Sequence, residues 1–474
     1  MKTYAISAAL LLLTGCMVGP DYRKPDVWTP AAYREAGNWK PAEPKDGAPR
    51  GNWWEIYGDA DLNALVPQVK ISNQNVLAAA ASYRQAQALL DVAQASYFPT
   101  VTAGLTGTRA RGTSPGNATV VQHGAPISNV VRPTLSASWE PDIWGLIGRN
   151  VEASKASAQA SSADLGNALL SAQATLVQTY FQLRTNDVQQ RLLEQTTAAY
   201  ERSLQITKNL NEAGVESSLD VAEAETQLET TRAQAIDLRV QRAQFEHAIA
   251  MLIGKAPADF QIKPTNVLPS LPQVPSALPS ALLERRPDIA AAERHMAEAN
   301  AQIGVAQAAF FPALTLNGTR GYQSSSLSQL LTSPNSFWSI GPSIALTLFD
   351  AGARSATKRA AIAVYDNSVA SYRQTVLAAF QEVEDNLAAL HHLADEASVQ
   401  QAAEKSASQA LALTENQYQA GTVSYLNVVT AQATALAAQQ NSLNIAGRRL
   451  LANAVLITAL GGDWQKSGES FNGR

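Results

Sequence analysis

Histidine and cysteine, which often carry acid–base or metal chemistry, are scarce in this sequence of 474 residues, which has five histidines and one cysteine. His391 and His392 are adjacent on a predicted helix, whereas two histidines that share a metal on a helix usually stand four residues apart. Glu382, Glu384 and Asp385 form an acidic group, but on a polar helix such carboxylates are typical of a solvated surface. No Walker loop or nucleophile elbow appears. We therefore predict that the protein is not an enzyme and has no catalytic, metal or cofactor site.

Cys16 is the one residue whose surroundings predict a specific reaction. A basic residue and a short apolar run precede it, as in a secretory signal peptide. The letters Leu-Thr-Gly-Cys at residues 13–16 resemble the lipobox of bacterial lipoproteins, where the signal is cleaved before a lipid-carrying cysteine. We predict removal of residues 1–15 and a covalent lipid on Cys16; an ordinary signal peptide with an incidental cysteine is the alternative. Met17 follows where lipoproteins of the inner membrane often have Asp, which favours the outer membrane.

Composition argues against a disordered protein and against a nucleic-acid-binding protein. Hydrophobic residues make up 46 % and charged residues 16 %, which is typical of a folded chain. The formal net charge is −4 and no segment has a basic patch, so we predict no nucleic-acid partner. No apolar run reaches the roughly eighteen residues of a membrane-spanning helix, so contact with a membrane would need a different kind of structure.

The sequence contains two copies of one unit. The phrase VAQASYFPT at residues 92–100 returns as VAQAAFFPA at 305–313, and AGVESSLDV at 213–221 returns as AGTVSYLNV at 420–428. Order and spacing are kept, so each copy spans roughly 200 residues. We divide the chain into a signal peptide, a lipidated extended arm, a first repeat, a proline-rich linker, a second repeat and a tail, at residues 1–15, 16–60, 61–255, 256–287, 288–464 and 465–474.

Each repeat predicts a long helical hairpin. Residues 145 to 213 contain no proline, and their apolar side chains recur at threes and fours. At ~1.5 Å per residue this helix is about 100 Å long. Gly214 ends it and a second helix returns. In the other repeat the long helix spans residues 353 to 420 and ends at Gly421, so both hairpins have glycine at the tip.

Before each hairpin the apolar side chains change to a period of two. Four segments of about ten residues alternate apolar and polar side chains, at residues 98–108, 131–140, 313–320 and 338–348. This pattern matches transmembrane β-strands with one lipid face and one wet face. A soluble β-sandwich alternates in the same way, but the lipobox and the long helices favour the membrane. Pro99 and Pro312 suit the change from helix to strand.

Aromatic side chains mark the ends of these strands. Tyr97, Trp139 and Phe310 fall on the apolar phase at the ends next to the helices, and we assign them with Trp338 to an interfacial aromatic girdle. Arg320 also falls on the apolar phase, and we place it in the outer headgroup region. Four strands cannot close a barrel alone, and exposed strand edges are not tolerated in hydrocarbon. Two chains would give eight strands with a nearly filled interior, whereas three give twelve and leave a pore.

At this point the sequence resembles the TolC-like outer-membrane factors, most closely their lipoprotein (NodT-type) branch, which serves tripartite efflux pumps. The resemblance covers nearly the whole chain. It rests on five phrases in order, namely MVGPDYRKP after the lipobox, ERRPDIAAAER at 284–294, AFFPALTLNG at 309–318, YQAGTVSYLNVVTAQ at 418–432 and TALGGDW at 458–464.

The resemblance implies a mixed α and β fold: a trimeric twelve-stranded outer-membrane β-barrel, four strands per chain, continued by a long periplasmic α-helical coiled-coil barrel. It implies a passive exit channel for small toxic compounds or drugs in a Gram-negative outer membrane, with a periplasmic adaptor and an inner-membrane transporter as partners. The tips, with Gly214, Tyr418 and Gly421, would meet the adaptor. A type I protein secretion channel and a lipid-anchored structural coiled coil without a pore are the alternatives.

The periplasmic entrance departs from the family pattern. Members commonly carry an aspartate after the second tip, in a phrase like YLxVLDAQ, but here the phrase YLNVVTAQ has Thr430 in its place and Asn427 is also neutral. The positions 207 residues earlier hold Asp220 and Glu223, with Glu216 nearby. These carboxylates form an acidic ring at the entrance in one interpretation and are solvated surface charges in the other.

Overall fold

A computed structural model of the protein describes residues 17–25, 33, 51–111, 127–272 and 286–462. Several predicted features lie outside the described residues: the signal peptide, Cys16, most of the arm, part of the linker and the tail. In the described ranges, no helix combines the length and the apolar character that crossing a membrane requires.

The same order of elements occurs in both halves of the described chain. A helix, α1 (Ala60–Ser72), comes first. The first half follows with α2 (Gln74–Ala95), β1 (Thr100–Arg111), β2 (Ile127–Trp139), α3 (Leu146–Glu212) and α4 (Ser218–Leu252). The second half contains α5 (Pro287–Ala308), β3 (Ala313–Tyr322), β4 (Ser336–Ala345), α6 (Ala353–Gln419) and α7 (Tyr425–Ala459). Corresponding helices have equal lengths of 22, 67 and 35 residues, so the predicted internal repeat is confirmed.

The chain divides into two compact units. The first contains the four strands, the adjoining helix ends and the N-terminal segment up to Pro25, with Tyr83–Ala160 and Ala292–Tyr372. The second contains the helical hairpins and the helices that pack on them, in Asp26–Ser82, Ser161–Ala291 and Arg373–Arg474.

In the first unit the strands form one antiparallel sheet in the order β1-β2-β3-β4. Directly paired residues point to the same face, so the register assigns each side chain to one of two faces. The apolar face carries Val101, Ala103, Leu105, Leu135, Ala137, Trp139, Leu314, Leu316, Trp338, Ile340 and Ile344. The polar face carries Thr100, Thr102, Thr106, Arg132, Ser136, Ser138, Asn317, Thr319, Ser339 and Ser343. The four predicted alternating strands are therefore confirmed.

The ends of the strands differ from the predicted ones. The segment predicted at 338–348 stops being a strand at Ala345, because Ala345 pairs with Ala313, the first residue of its partner β3. β1 and β2 extend further than predicted, to Arg111 and Ile127, because they pair with each other over that length. Among the described strands, β1 and β4 each have a hydrogen-bonded neighbour on one side only.

The second unit has its main hydrophobic core where α1 packs against the hairpin helices. The ring of Tyr57 lies edge-on to that of Phe181, with centroids 4.7 Å apart, and its hydroxyl donates to Asn453 Oδ1 at 2.7 Å. Tyr180 donates to Asp59 at 2.7 Å, and the same carboxylate caps the first turn of α1. These bonds satisfy the hydroxyl groups of Tyr57 and Tyr180, which the core buries.

A charged network holds the segment after α4 against the hairpin. The side chain of Asp187 is fully buried and accepts from Arg184 Nη1 at 3.2 Å, from Arg242 Nε at 2.7 Å and from the Thr265 backbone N–H at 3.3 Å. Both arginines also donate to backbone carbonyls of residues 262–263. One buried carboxylate therefore joins α3, α4 and the start of the predicted linker.

Candidate functional site

The two faces of the sheet offer two different environments. On the polar face, side chains bond across strands, as where Ser138 Oγ donates to Asn317 Oδ1 at 3.0 Å. Arg132 lies on this face with its guanidinium 5.3 Å from the centre of the Phe337 ring, and it also donates to Gln323. The apolar face presents mainly aliphatic and aromatic side chains that suit hydrocarbon. The sheet can therefore separate lipid from water.

Three of the four predicted girdle aromatics lie at the helix-proximal end of the sheet. Tyr97 and Phe310 come just before β1 and β3, and Trp139, the last residue of β2, donates its indole N–H to the Tyr97 carbonyl at 2.9 Å. Trp338 lies near the opposite end, where it pairs with Arg320. Its assignment to one girdle with the others is thus corrected, because β4 begins far from the helices and runs back towards them.

A buried arginine fixes the N-terminal segment at that helix-proximal end. The side chain of Arg149, near the start of α3, is 1 % exposed. It donates to the carbonyls of Val18 and Gly19, each at 3.2 Å, and to Asp21 at 3.0 Å. The predicted lipid-carrying residue comes directly before this segment. Sequence reasoning missed Arg149, because most of its partners are about 130 residues away in the chain.

A glycine pair allows this close packing. Gly19 has φ of +106°, and a Cβ there would lie 2.5 Å from the Cα of Gly304.

Sequence reasoning also missed two aromatics in this unit: Trp144 stacks on Phe311 with centroids 4.9 Å apart and donates to the Pro312 carbonyl at 2.8 Å. Trp144 and Phe311 thus add to the aromatic side chains that the predicted girdle placed at the helix-proximal end.

The two hairpin tips have the same backbone geometry. Gly214 and Gly421 have φ of +75° and +71°, in the left-handed region that favours glycine. Each tip closes with the hydrogen-bond pair of a Schellman motif, from Val215 N to Leu210 O and Gly214 N to Asn211 O, and from Thr422 N to Gln417 O and Gly421 N to Tyr418 O. A Cβ on either glycine would meet no atom within 4 Å among the described residues, so both turns are open to a partner.

Asp220 has a local structural role that the sequence interpretation did not include. It forms a capping box at the start of α4, where its Oδ2 accepts from Ser217 N at 3.0 Å and Ser217 Oγ at 2.6 Å. The hydrogen bonds from Ser217 lower the pKa of Asp220, so its charge is retained. The spacing of a serine and an acidic residue three positions on was the available signal. In the second hairpin the equivalent residue is Asn427, whose Nδ2 donates to Ser424 Oγ at 3.5 Å, and Ser424 makes no side-chain cap.

The other entrance residues divide between a packed cluster and an exposed helix face. Burial and the nearby Glu216 carboxylate raise the pKa of Tyr418 to about 12, and its ring centre lies 5.4 Å from that of Tyr425. Glu223 Oε2 is buried and has no hydrogen-bond partner in the described part of the chain. Thr430 is exposed on α7, where its hydroxyl donates to a backbone carbonyl one turn earlier.

The structure thus brings Glu216, Asp220 and Tyr418 together, with Glu223 one helical turn further on. Tyr418 packs towards Tyr425 rather than standing free at the tip, so of the predicted docking residues only the two glycines form the open turns. Asn427 and Thr430 lie on the exposed side of α7, away from the buried Tyr425.

Comparison with known proteins identifies the family. The family described as "Outer membrane efflux protein" matches residues 65–255 and 278–462. The toluene efflux pump outer membrane protein TtgI of Pseudomonas putida is 32 % identical over 470 residues, which cover 97 % of this chain and 98 % of TtgI. The chain belongs to the outer membrane efflux protein family. The cation efflux system protein CusC of Escherichia coli is also similar, 29 % identical over 459 residues covering 96 % of this chain and 97 % of CusC.

The solved structure of the outer-membrane channel OprN has the same fold as this outer membrane efflux protein. The two superpose with a TM-score of 0.87 at 31 % identity, over 95 % of this chain and 100 % of OprN. The predicted fold class of four strands and long helical hairpins in two repeats is therefore confirmed. The predicted function as an outer-membrane efflux channel is confirmed as well, as is the location in a Gram-negative outer membrane. Family members are channels, so the prediction of a non-enzymatic protein is also correct.

Proposed function

We propose that three copies of this outer membrane efflux protein form one passive exit channel of a tripartite pump. Their twelve strands close into a barrel in the outer membrane, and their six helical hairpins form the periplasmic part. The observation that carries this proposal is the sheet itself, with an apolar face, a polar face and two edges that lack a strand partner among the described residues.

Unpaired strand edges argue for assembly. Each backbone N–H or C=O group without a hydrogen bond in hydrocarbon costs on the order of several kcal/mol. The outer edges of β1 and β4 therefore need strand partners in the membrane. Pairing β4 of one copy with β1 of the next satisfies both edges. Two copies would enclose a nearly filled interior, whereas three leave room for a water-filled path lined by the polar faces.

The proposed partners are those of the family's tripartite pumps. A periplasmic adaptor and an inner-membrane transporter would supply the cargo and the energy, and this chain would form the passive wall of the channel. The names of its relatives differ in what is exported, toluene for TtgI and a cation for CusC, which supports selection of the cargo upstream. These relatives also favour efflux over the alternative of type I protein secretion, and the two-faced sheet argues against a coiled coil without a pore.

A planar-bilayer recording tests the channel and its entrance together. We propose that the acidic ring lies on the first hairpin, at Asp220 and Glu223, and makes the pore cation-selective despite Thr430. In a KCl gradient the detergent-extracted wild-type protein is expected to conduct and to show a reversal potential that favours potassium. The double change of Asp220→Asn and Glu223→Gln should reduce that preference, because it removes six carboxylates from three chains.

Glu229→Gln serves as the control for that recording, since Glu229 is an exposed α4 carboxylate paired with Arg232. A preparation that conducts under no condition overturns the channel proposal. A potassium preference that survives the double change places the selectivity elsewhere in the pore and rejects the acidic ring.

The hairpin tips are proposed to dock the adaptor. Gly421→Trp is expected to impair drug resistance without lowering the amount of trimer, because the side chain projects into open space and a non-glycine residue resists the left-handed turn by about 1–2 kcal/mol. Resistance assays and trimer immunoblots measure the two effects. Gly421→Asn is the matched variant, since asparagine tolerates this backbone conformation. Normal resistance in Gly421→Trp at normal expression would remove the tip from the docking surface.

The lipid anchor at Cys16 is proposed from the sequence. Arg149 supports it, because it holds the residues that follow at the helix-proximal end of the sheet. Cys16→Ser is expected to abolish incorporation of labelled palmitate while the trimer still assembles, since the apolar face supplies its own membrane affinity. Loss of the trimer in this variant would show that the lipid does more than tether.

A further inference from the structure

Three side chains with metal-binding atoms converge on one exposed stretch of α6. His391, His392 and Asp395 each offer one ligand atom, and these three atoms lie within 4.8 Å of one another. The two imidazole rings have centroids 5.2 Å apart, with an angle of 64° between their planes. All three side chains are exposed. The adjacent histidines therefore do point towards a common volume, contrary to the expectation from their spacing.

Helix geometry explains the convergence. Successive residues on an α-helix are rotated by about 100°, so Asp395 lies angularly between His391 and His392, one turn further along. Leu393 projects to the opposite side and is 4 % exposed, which fixes the buried face of the helix there. The three ligand side chains thus share the solvent side. The nearby Glu396 pairs with Arg448 at 3.5 Å, so it is engaged outside the group.

We propose that His391, His392 and Asp395 bind one first-row divalent transition-metal ion, for which Zn²⁺ is the test ion. Two imidazole nitrogens and one carboxylate oxygen suit zinc, nickel or copper, whereas calcium and magnesium prefer oxygen ligands alone. Tetrahedral zinc places such ligand atoms about 3.4 Å apart. Rotation of exposed side chains can close the remaining distance, and water can complete the coordination. This proposal does not depend on the trimer.

Zinc titration of the untagged, full-length protein in detergent tests the site. We expect one Zn²⁺ to bind per chain in isothermal titration calorimetry. Mutation of residues that only hydrogen-bond to metal ligands typically changes metal affinity by about 10–100-fold, so loss of a direct ligand in His391→Ala, His392→Ala or Asp395→Asn should weaken binding at least about tenfold. Because all three positions are exposed, circular dichroism should be unchanged.

His295→Ala is the matched control. His295 is an exposed histidine whose Nδ1 lies 3.4 Å from Glu298 three residues on, so it tests whether any exposed imidazole–carboxylate pair suffices. Its replacement should leave zinc binding unchanged. Cobalt gives an independent readout, since its visible absorption should appear on binding and disappear when zinc is added. The proposal is overturned if the wild type shows no saturable zinc binding, or if binding survives in a variant that combines His391→Ala, His392→Ala and Asp395→Asn.

Discussion

Replacing Ile340 with arginine is expected to remove the trimer from the outer membrane, whereas Ser339→Arg leaves it in place. Ile340 is 79 % exposed on the apolar face, where it pairs with Gly318. An arginine facing lipid near the bilayer midplane costs about 2–4 kcal/mol per chain. The proposed trimer would carry that cost three times, on the order of 6–12 kcal/mol. The measurement is the amount of trimer in the outer-membrane fraction, resolved on gels without heating.

Ser339→Arg makes this result specific. Ser339 is the preceding residue of β4, but it pairs with Thr319 on the polar face, where water can solvate a guanidinium. The two variants add the same side chain to the same strand and differ only in the face. Equal losses of trimer would show that arginine disturbs the strand itself, and equal retention would show that the apolar face does not contact lipid.

Asp187→Asn is expected to destabilise the helical unit. The change leaves the guanidinium groups of Arg184 and Arg242, which are 3 % and 15 % exposed, without their shared buried carboxylate. Removal of one partner from a buried ion pair typically costs about 3–5 kcal/mol, and we expect the lower end of that range because Arg184 keeps its ion pair with Asp61 and Arg242 keeps its ion pair with Glu246. The temperature of helix loss by circular dichroism should fall. Limited proteolysis should also cut faster near residues 262–265, which the network holds.

Glu201→Gln is the control for Asp187→Asn. Both positions lie on α3 and both changes replace a carboxylate by its amide, but Glu201 and its partner Arg232 are 49 % and 42 % exposed. Exposed ion pairs contribute little to stability, because water and salt screen them. A similar effect of the two changes would mean that the buried network contributes no more than a surface pair, and the account of Asp187 would be wrong.

Patterns that repeat along the chain could be interpreted without the structure. The two hairpins followed from proline-free segments ending at Gly214 and Gly421, because only a long helix keeps that spacing and glycine ends it with a left-handed turn. The four strands followed from their alternation. The positions of the strand ends could not be predicted in this way. β4 stops at Ala345 because its partner strand begins at Ala313, and nothing in the sequence of residues 346–348 indicates that end.

Contacts between distant residues could not be predicted. Arg149 binds two backbone carbonyls and one carboxylate about 130 residues away, and the sequence has no signal for such distant acceptors. Asp220 was interpreted by its charge alone, although its spacing from Ser217 already matched a capping box. The sequence analysis compared His391 with His392 alone. It did not consider Asp395, which lies one helical turn further on and, viewed down the helix axis, between the two histidines.

Equal helix lengths in the two halves limit how this chain can evolve. α3 and α6 both have 67 residues, and near the tips Tyr425 of one hairpin packs in a cluster with Ala224 of the other. Deletion of two helical turns from one hairpin alone would withdraw its tip by about 10 Å and break that contact, whereas the same deletion in both would preserve it. Because the two repeats pack against each other at their tips, we expect a tolerated change in hairpin length to occur in both repeats at once.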